Sequence, residues 1–136
     1  MALAGLTLLS LACERPPPLA EASRTARAFL EAFSTGDHDG ALRLVTGDVQ
    51  HGVEVARANR ERERRDHPAE VALLQKVMAE HPPDILVRPP RLHGDDTAEV
   101  RAVVTTVGPA GPERVQYELW LVWHEPRWLV YRWERR

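Results

Sequence analysis

Residues 119–133 read LWLVWHEPRWLVYRW, and the way this stretch folds back on itself decides the architecture. Apolar and aromatic side chains recur at every second position on either side of Glu125-Pro126, the pattern of two half-buried strands joined by a tight turn. Counting by twos, residues 114–124 place Val115, Tyr117, Leu119, Leu121 and Trp123 on one face. The same count over 127–134 places Leu129, Tyr131 and Trp133 on that inward face. Trp120, Val122, Trp128 and Val130 then fall on the outward parity, beside Glu118 and Arg132.

Working upstream, residues 97–107 alternate in the same way, with Ala98, Val100, Ala102, Val104 and Thr106 inward. Glu99 and Arg101 lie outward, where cross-strand ion pairing is the ordinary role of such residues. Gly94-Asp95-Asp96 and the Gly/Pro run 108–112 supply the turns. A short strand at 85–88 ends at Pro89-Pro90, which suits a sheet edge or a bulge. The spacing of Ala22, Ala26, Phe29, Leu30 and Phe33 predicts a helix, closed by Gly36. Asp37 and Asp39 are capping residues for a second helix carrying Ala41, Leu42 and Val45. Val49, Val53 and Val55 fit either a short strand pair around Gly52 or a helix. Residues 56–66 (ARANRERERRD) read as a solvated, charge-interleaved helix face. A helix from Pro68 follows, with a core stripe of Val71, Leu74, Val77 and Met78. Helices first and an antiparallel meander afterwards define an α+β fold.

Two segments together carry a family resemblance: FLEAFSTGDHDGALRLVTGDV (29–49) and the quoted ending with its leading Trp128. The chain resembles the nuclear transport factor 2-like superfamily, the cone-shaped cystatin-like roll, and within it small bacterial lipoproteins of unknown function. The resemblance covers residues 20–134 and implies N-terminal helices packed on a curved antiparallel β-meander. That superfamily includes ketosteroid isomerases, polyketide cyclases, dehydratases and non-catalytic binding modules, so the fold alone gives no activity. Its enzymes work inside the cone and would need an acid or base there beside hydroxyl donors.

Tested against that requirement, the inward parity holds two tyrosines and no carboxylate, histidine or arginine. Asp48 and His51, with Tyr117 and Tyr131, are the weak catalytic candidates of an isomerase- or cyclase-type enzyme. His38, His67, His81 and His93 fall in turns or at helix ends, where exposure is expected. No metal-ligand spacing, glycine-rich phosphate loop or nucleophile motif is present, so no cofactor or metal is implied. A non-catalytic module binding itself, an envelope protein or an apolar ligand in its cone is the favoured reading. Trp120, Val122, Trp128 and Val130 form the expected association surface, most simply of a homodimer. The competing expectation is that residues 53–79 or Pro89-Pro90 fold over them.

The N-terminal stretch gives an address. Ala2 to Ala12 is uncharged and largely apolar, too short to span a bilayer at ~20 residues but suited to a secretory signal. Leu9-Ser10-Leu11-Ala12-Cys13 resembles the end of a bacterial lipoprotein signal, which implies diacylglycerol on Cys13. The alternative is a frayed helix with an incidental cysteine. Residues 1–12 are thus expected to be a signal peptide, 13–19 a proline-rich tether, and 20–136 one roll domain. The expected location is the bacterial cell envelope, on the periplasmic or extracellular side, held to a membrane through the lipid. Cys13 is the only cysteine, so no disulfide framework is available. Eighteen basic residues against 20 acidic ones leave a net charge of −2, without the one-signed field that nucleic acid attracts.

Overall fold

The computed structural model describes residues 17–108 and 110–136. The expected signal peptide, Cys13 and the tether as far as residue 16 lie outside the described residues. Four helices precede five strands. They are α1 (Leu19–Ser34), α2 (His38–Leu42), α3 (Asp48–Asp66), α4 (Pro68–Glu80), β1 (Asp84–Val87), β2 (Arg91–His93), β3 (Thr97–Gly108), β4 (Gly111–His124) and β5 (Arg127–Arg135).

Helix α1 buries Ala22, Ala26, Phe29 and Leu30, one stripe at helical spacing. It closes in a Schellman turn: Gly36 adopts φ 79°, its N–H reaches the Phe33 carbonyl, and the Asp37 N–H donates to Ala32 at 2.8 Å. Asp37 then caps α2, its Oδ1 accepting from the Gly40 N–H at 2.9 Å. One residue therefore ends the first helix and starts the second.

The sheet is antiparallel throughout, with β1 and β2 on one side of β3, then β4 and β5. Its inner face packs on α1 through Val100, Val104, Leu119, Leu121 and Val130. Beyond β5, residues 44–46 add a short parallel bridge. The Val130 N–H donates to the Leu44 carbonyl at 2.8 Å, and the Thr46 N–H donates to Val130 at 3.0 Å.

Strict alternation fails in one place. Trp120 pairs with Arg132, but the next residue of β4, Leu121, pairs with Val130, so Tyr131 is one extra residue in β5. Such a bulge reverses the parity of everything beyond it. Trp133 stays inward opposite Leu119, as expected. Trp128 and Val130, expected on the outer face, lie in the core at 1% and 0% exposure. Leu129 takes the outward place opposite Val122.

Of the two readings open for the segment around Gly52 the helix holds, because Val49 and Val53 are buried one turn apart. Two further expectations are corrected. Of the α4 stripe only Val71 is buried, while Leu73 and Leu74 are 63% and 39% exposed. That helix packs against α3 and leaves most of its apolar surface uncovered. His38, placed by its sequence in an exposed turn, is buried with its ring edge-on to Phe33.

Candidate functional site on the outer face of the sheet

The cone is filled by aromatic side chains. Phe29 and Phe33 from α1 meet Trp133 edge-on at 5.1 and 4.8 Å between centroids, and Tyr117 stacks on the same indole at 5.3 Å. Such contacts add to the burial of large apolar surfaces, and they occupy the space a substrate would need. His38 closes the end of this stack; burial, then Arg60, lowers its pKa, so it is a neutral wall rather than a proton donor.

The four catalytic candidates are not brought to one place. Asp48 and His51 are solvent-exposed on the first turn of α3. Tyr131 sits at the β5 bulge, and Tyr117 is committed to the stack on Trp133. Among the described residues, no three His, Cys, Asp or Glu side chains gather as metal ligands. The expected association surface loses Trp128 and Val130 to the core. Trp120 and Val122 remain half-buried on the outer face beside Leu129, with the Arg132 guanidinium 4.6 Å over the Trp120 ring.

The best-developed chemistry lies on that outer face. Strand register draws two rows of side chains across the sheet. Arg91, Glu99, Trp120 and Arg132 face one another in the first, and Arg101, Glu118 and Glu134 in the second. Glu99 and Glu118 occupy the two central strands and are almost fully buried, 8% and 4% exposed. Burying a carboxylate is costly unless it is paired, and both are paired. Glu99 Oε2 lies 2.8 Å from His93 Nε2, and its Oε1 accepts from Arg101 Nε at 3.4 Å. Glu118 Oε1 is 3.9 Å from the Arg101 guanidinium, and the Arg136 guanidinium lies against its Oε2 as an ion-pair contact. That Oε2 has no hydrogen-bond partner among the described residues. Hydrogen bonding with the Glu118 carboxyl, then with His93, holds the Glu99 pKa at about 2. Glu99 is therefore an anion at neutral pH, with its oxygens committed to His93 and Arg101.

A cavity of about 280 Å³ opens above Glu99, lined by Arg88, Pro89, Arg91 and Arg101. It exists because the edge strand is interrupted. Residues 88–90 span the place where β3 offers only Val100 and Arg101, and two prolines there have no N–H to continue the ladder. Sequence alternation identified the outward parity of Glu99, Arg101 and Glu118 but not the burial of the two glutamates. Strand β2 went unrecognised behind Pro89-Pro90, and with it the nearness of His93 to Glu99. The available signal was the Gly94-Asp95-Asp96 turn, which makes a hairpin of 91–93 and 97–99 and brings those side chains together.

No family model matches the chain, and no curated protein matches it. Solved structures do. A designed protein, Rd1NTF2_05 with several substitutions, superposes with a TM-score of 0.55 at 15% identity, covering 86% of this chain and 98% of its own. An NTF-2 like protein of unknown function from Shewanella oneidensis MR-1 gives a TM-score of 0.58 at 11% identity, covering 87% of this chain and 98% of that one. Identities this low speak to architecture alone, and the element order, the helices against one sheet face and these superpositions agree: the chain has the nuclear transport factor 2-like α+β fold.

Proposed function

We propose that this protein is a lipid-anchored domain of the bacterial cell envelope that binds or associates rather than catalyses. The observation that carries the reading is the aromatic filling of the cone by Phe29, Phe33, Tyr117 and Trp133, which occupies the space where a reaction would run. With the interior closed, recognition falls to the outer surface of the sheet. Trp120 and Val122, with Leu129, supply an apolar strip there for a second copy of the chain. The lipid on Cys13, inferred from the resemblance of residues 9–13 to a lipoprotein signal, holds the domain to a membrane.

Two measurements test the two halves. Cells fed a fatty-acid analogue incorporate it into the wild-type chain and not into Cys13→Ala; equal labelling refutes the anchor. Trp120→Glu lowers the solution mass from dimer to monomer, and an identical mass for both chains ends the homodimer.

A further inference from the structure

We propose that the cavity at the Pro89-Pro90 break binds a compact phosphoryl dianion, the head of a phosphate monoester, between Arg88 and Arg91 with Arg101 behind it. This goes beyond the association reading, since the cavity is lined by the β1–β2 edge and not by Trp120.

Three features of the site converge on an anion. Register sets Arg91 directly opposite Glu99, yet no ion pair forms between them, because His93 and Arg101 already hold the two Glu99 oxygens. Arg91 is thus left facing the cavity without an acidic partner among the described residues. Next to it, the Arg88 N–H donates to the Arg101 carbonyl at 2.9 Å, which brings two guanidinium-bearing residues opposite each other on adjacent strands. Like charges so placed are mutually destabilising until an anion sits between them. The seven charged groups here are Arg88, Arg91, Arg101, Arg136, Glu99, Glu118 and the titratable His93. Arg101 and Arg136 lie against Glu99 and Glu118, whereas Arg88 and Arg91 have no acidic partner among the described residues, and these two guanidinium charges are what a dianion matches.

Chemistry and size narrow the class. Guanidinium forks give phosphate oxygens paired, charge-assisted hydrogen bonds, and Arg101 is already oriented by Glu99. At about 280 Å³ the cavity falls just below the range of ~300–1,000 Å³ typical of drug-sized ligand pockets, which suits a phosphoryl group with a small substituent.

The test is calorimetric titration of the full chain, in phosphate-free buffer, with inorganic phosphate, phenyl phosphate and succinate. Saturable binding of the two phosphates, weakened about tenfold or more by Arg88→Gln and by Arg91→Gln, is expected. Arg114→Gln, on β4 outside the cavity, leaves it unchanged. Absence of binding to phosphates and vesicles alike, equal affinity in Arg91→Gln, or succinate binding as tightly as phosphate each overturns the proposal. Vesicles of phosphatidic acid set against phosphatidylcholine identify the source. Arg91-dependent binding to phosphatidic acid without binding of free phosphate assigns the site to a lipid headgroup, and the converse to a soluble ester. None of these readouts depends on the Cys13 label or on the mass of Trp120→Glu.

Discussion

Trp128 is fully buried at the start of β5, and its indole N–H donates to the Pro18 carbonyl at 3.0 Å. The side chain therefore combines large apolar burial with a polar tie to the residue just before α1. Trp128→Phe keeps an aromatic ring while deleting the donor and part of the volume. A loss of about 1–3 kcal/mol in denaturant-induced unfolding is expected, with α1 retained. Two other residues set an acid dependence. His38 titrates below its ordinary 6.5 because burial disfavours its charge, and Glu99 titrates at about 2 instead of 4.5. In both cases the unfolded chain binds protons more readily than the folded one. Stability is thus complete above pH 6.5 and declines in two stages as pH falls, first below 6.5 and then from 4.5 toward 2. Thermal melts between pH 8 and 3 check this: His38→Phe flattens the upper stage, Glu99→Gln the lower. A wild-type melting temperature that rises on acidification contradicts both assignments.

At the level of elements, the instructive case is β5. Period-two counting places Trp133 correctly and misplaces Trp128 and Val130, because one inserted residue changes the parity without changing any local composition. What selects the bulge is tertiary. The Val130 backbone is held by Leu44 and Thr46, and its side chain fills the core. A specific consequence is that deleting Tyr131 regularises the strand and leaves Trp133, Val130 and Trp128 together on the inward parity. That deletion is expected to keep cooperative unfolding, whereas deleting Leu129, which turns Trp128 to the outer face, abolishes it; near-ultraviolet circular dichroism during denaturation distinguishes them. The same limit explains α3, where β-branched Val49 and Val53 suit a strand locally but fit the core only one helical turn apart. It also explains the outer cluster. Glu99 and Glu118 look like ordinary surface acids until register surrounds them with His93, Arg101 and Arg136. Helix existence and strand order were legible because they depend on periodicity; burial depends on neighbours distant in sequence.

Across the whole molecule, packing is uneven. Helix α1 lies along the inner face of the sheet, touching β1, β3, β4 and β5, whereas α4 packs against α3 with Leu73 and Leu74 open to water. Local opening therefore costs least in α4. Hydrogen exchange is expected to run fastest through residues 70–80 and slowest through residues 22–33 and the centre of β3; comparable protection of α1 and α4 refutes this ordering. The tie between Trp128 and Pro18 has one more consequence, for orientation. It fixes the point where the chain enters the domain beside the β4–β5 turn, and α1 runs from there for 16 residues, roughly 24 Å, to Gly36. At that opposite end Thr35 and Gly36 adjoin Arg60, Arg64 and Leu74 of the α3–α4 hairpin. From Cys13 to Pro18 the chain reaches at most ~18 Å. A domain moored through Cys13 would hang from one corner, its β4–β5 turn close to the lipid headgroups, and hold the leucines of α4 out toward the aqueous space as its far tip.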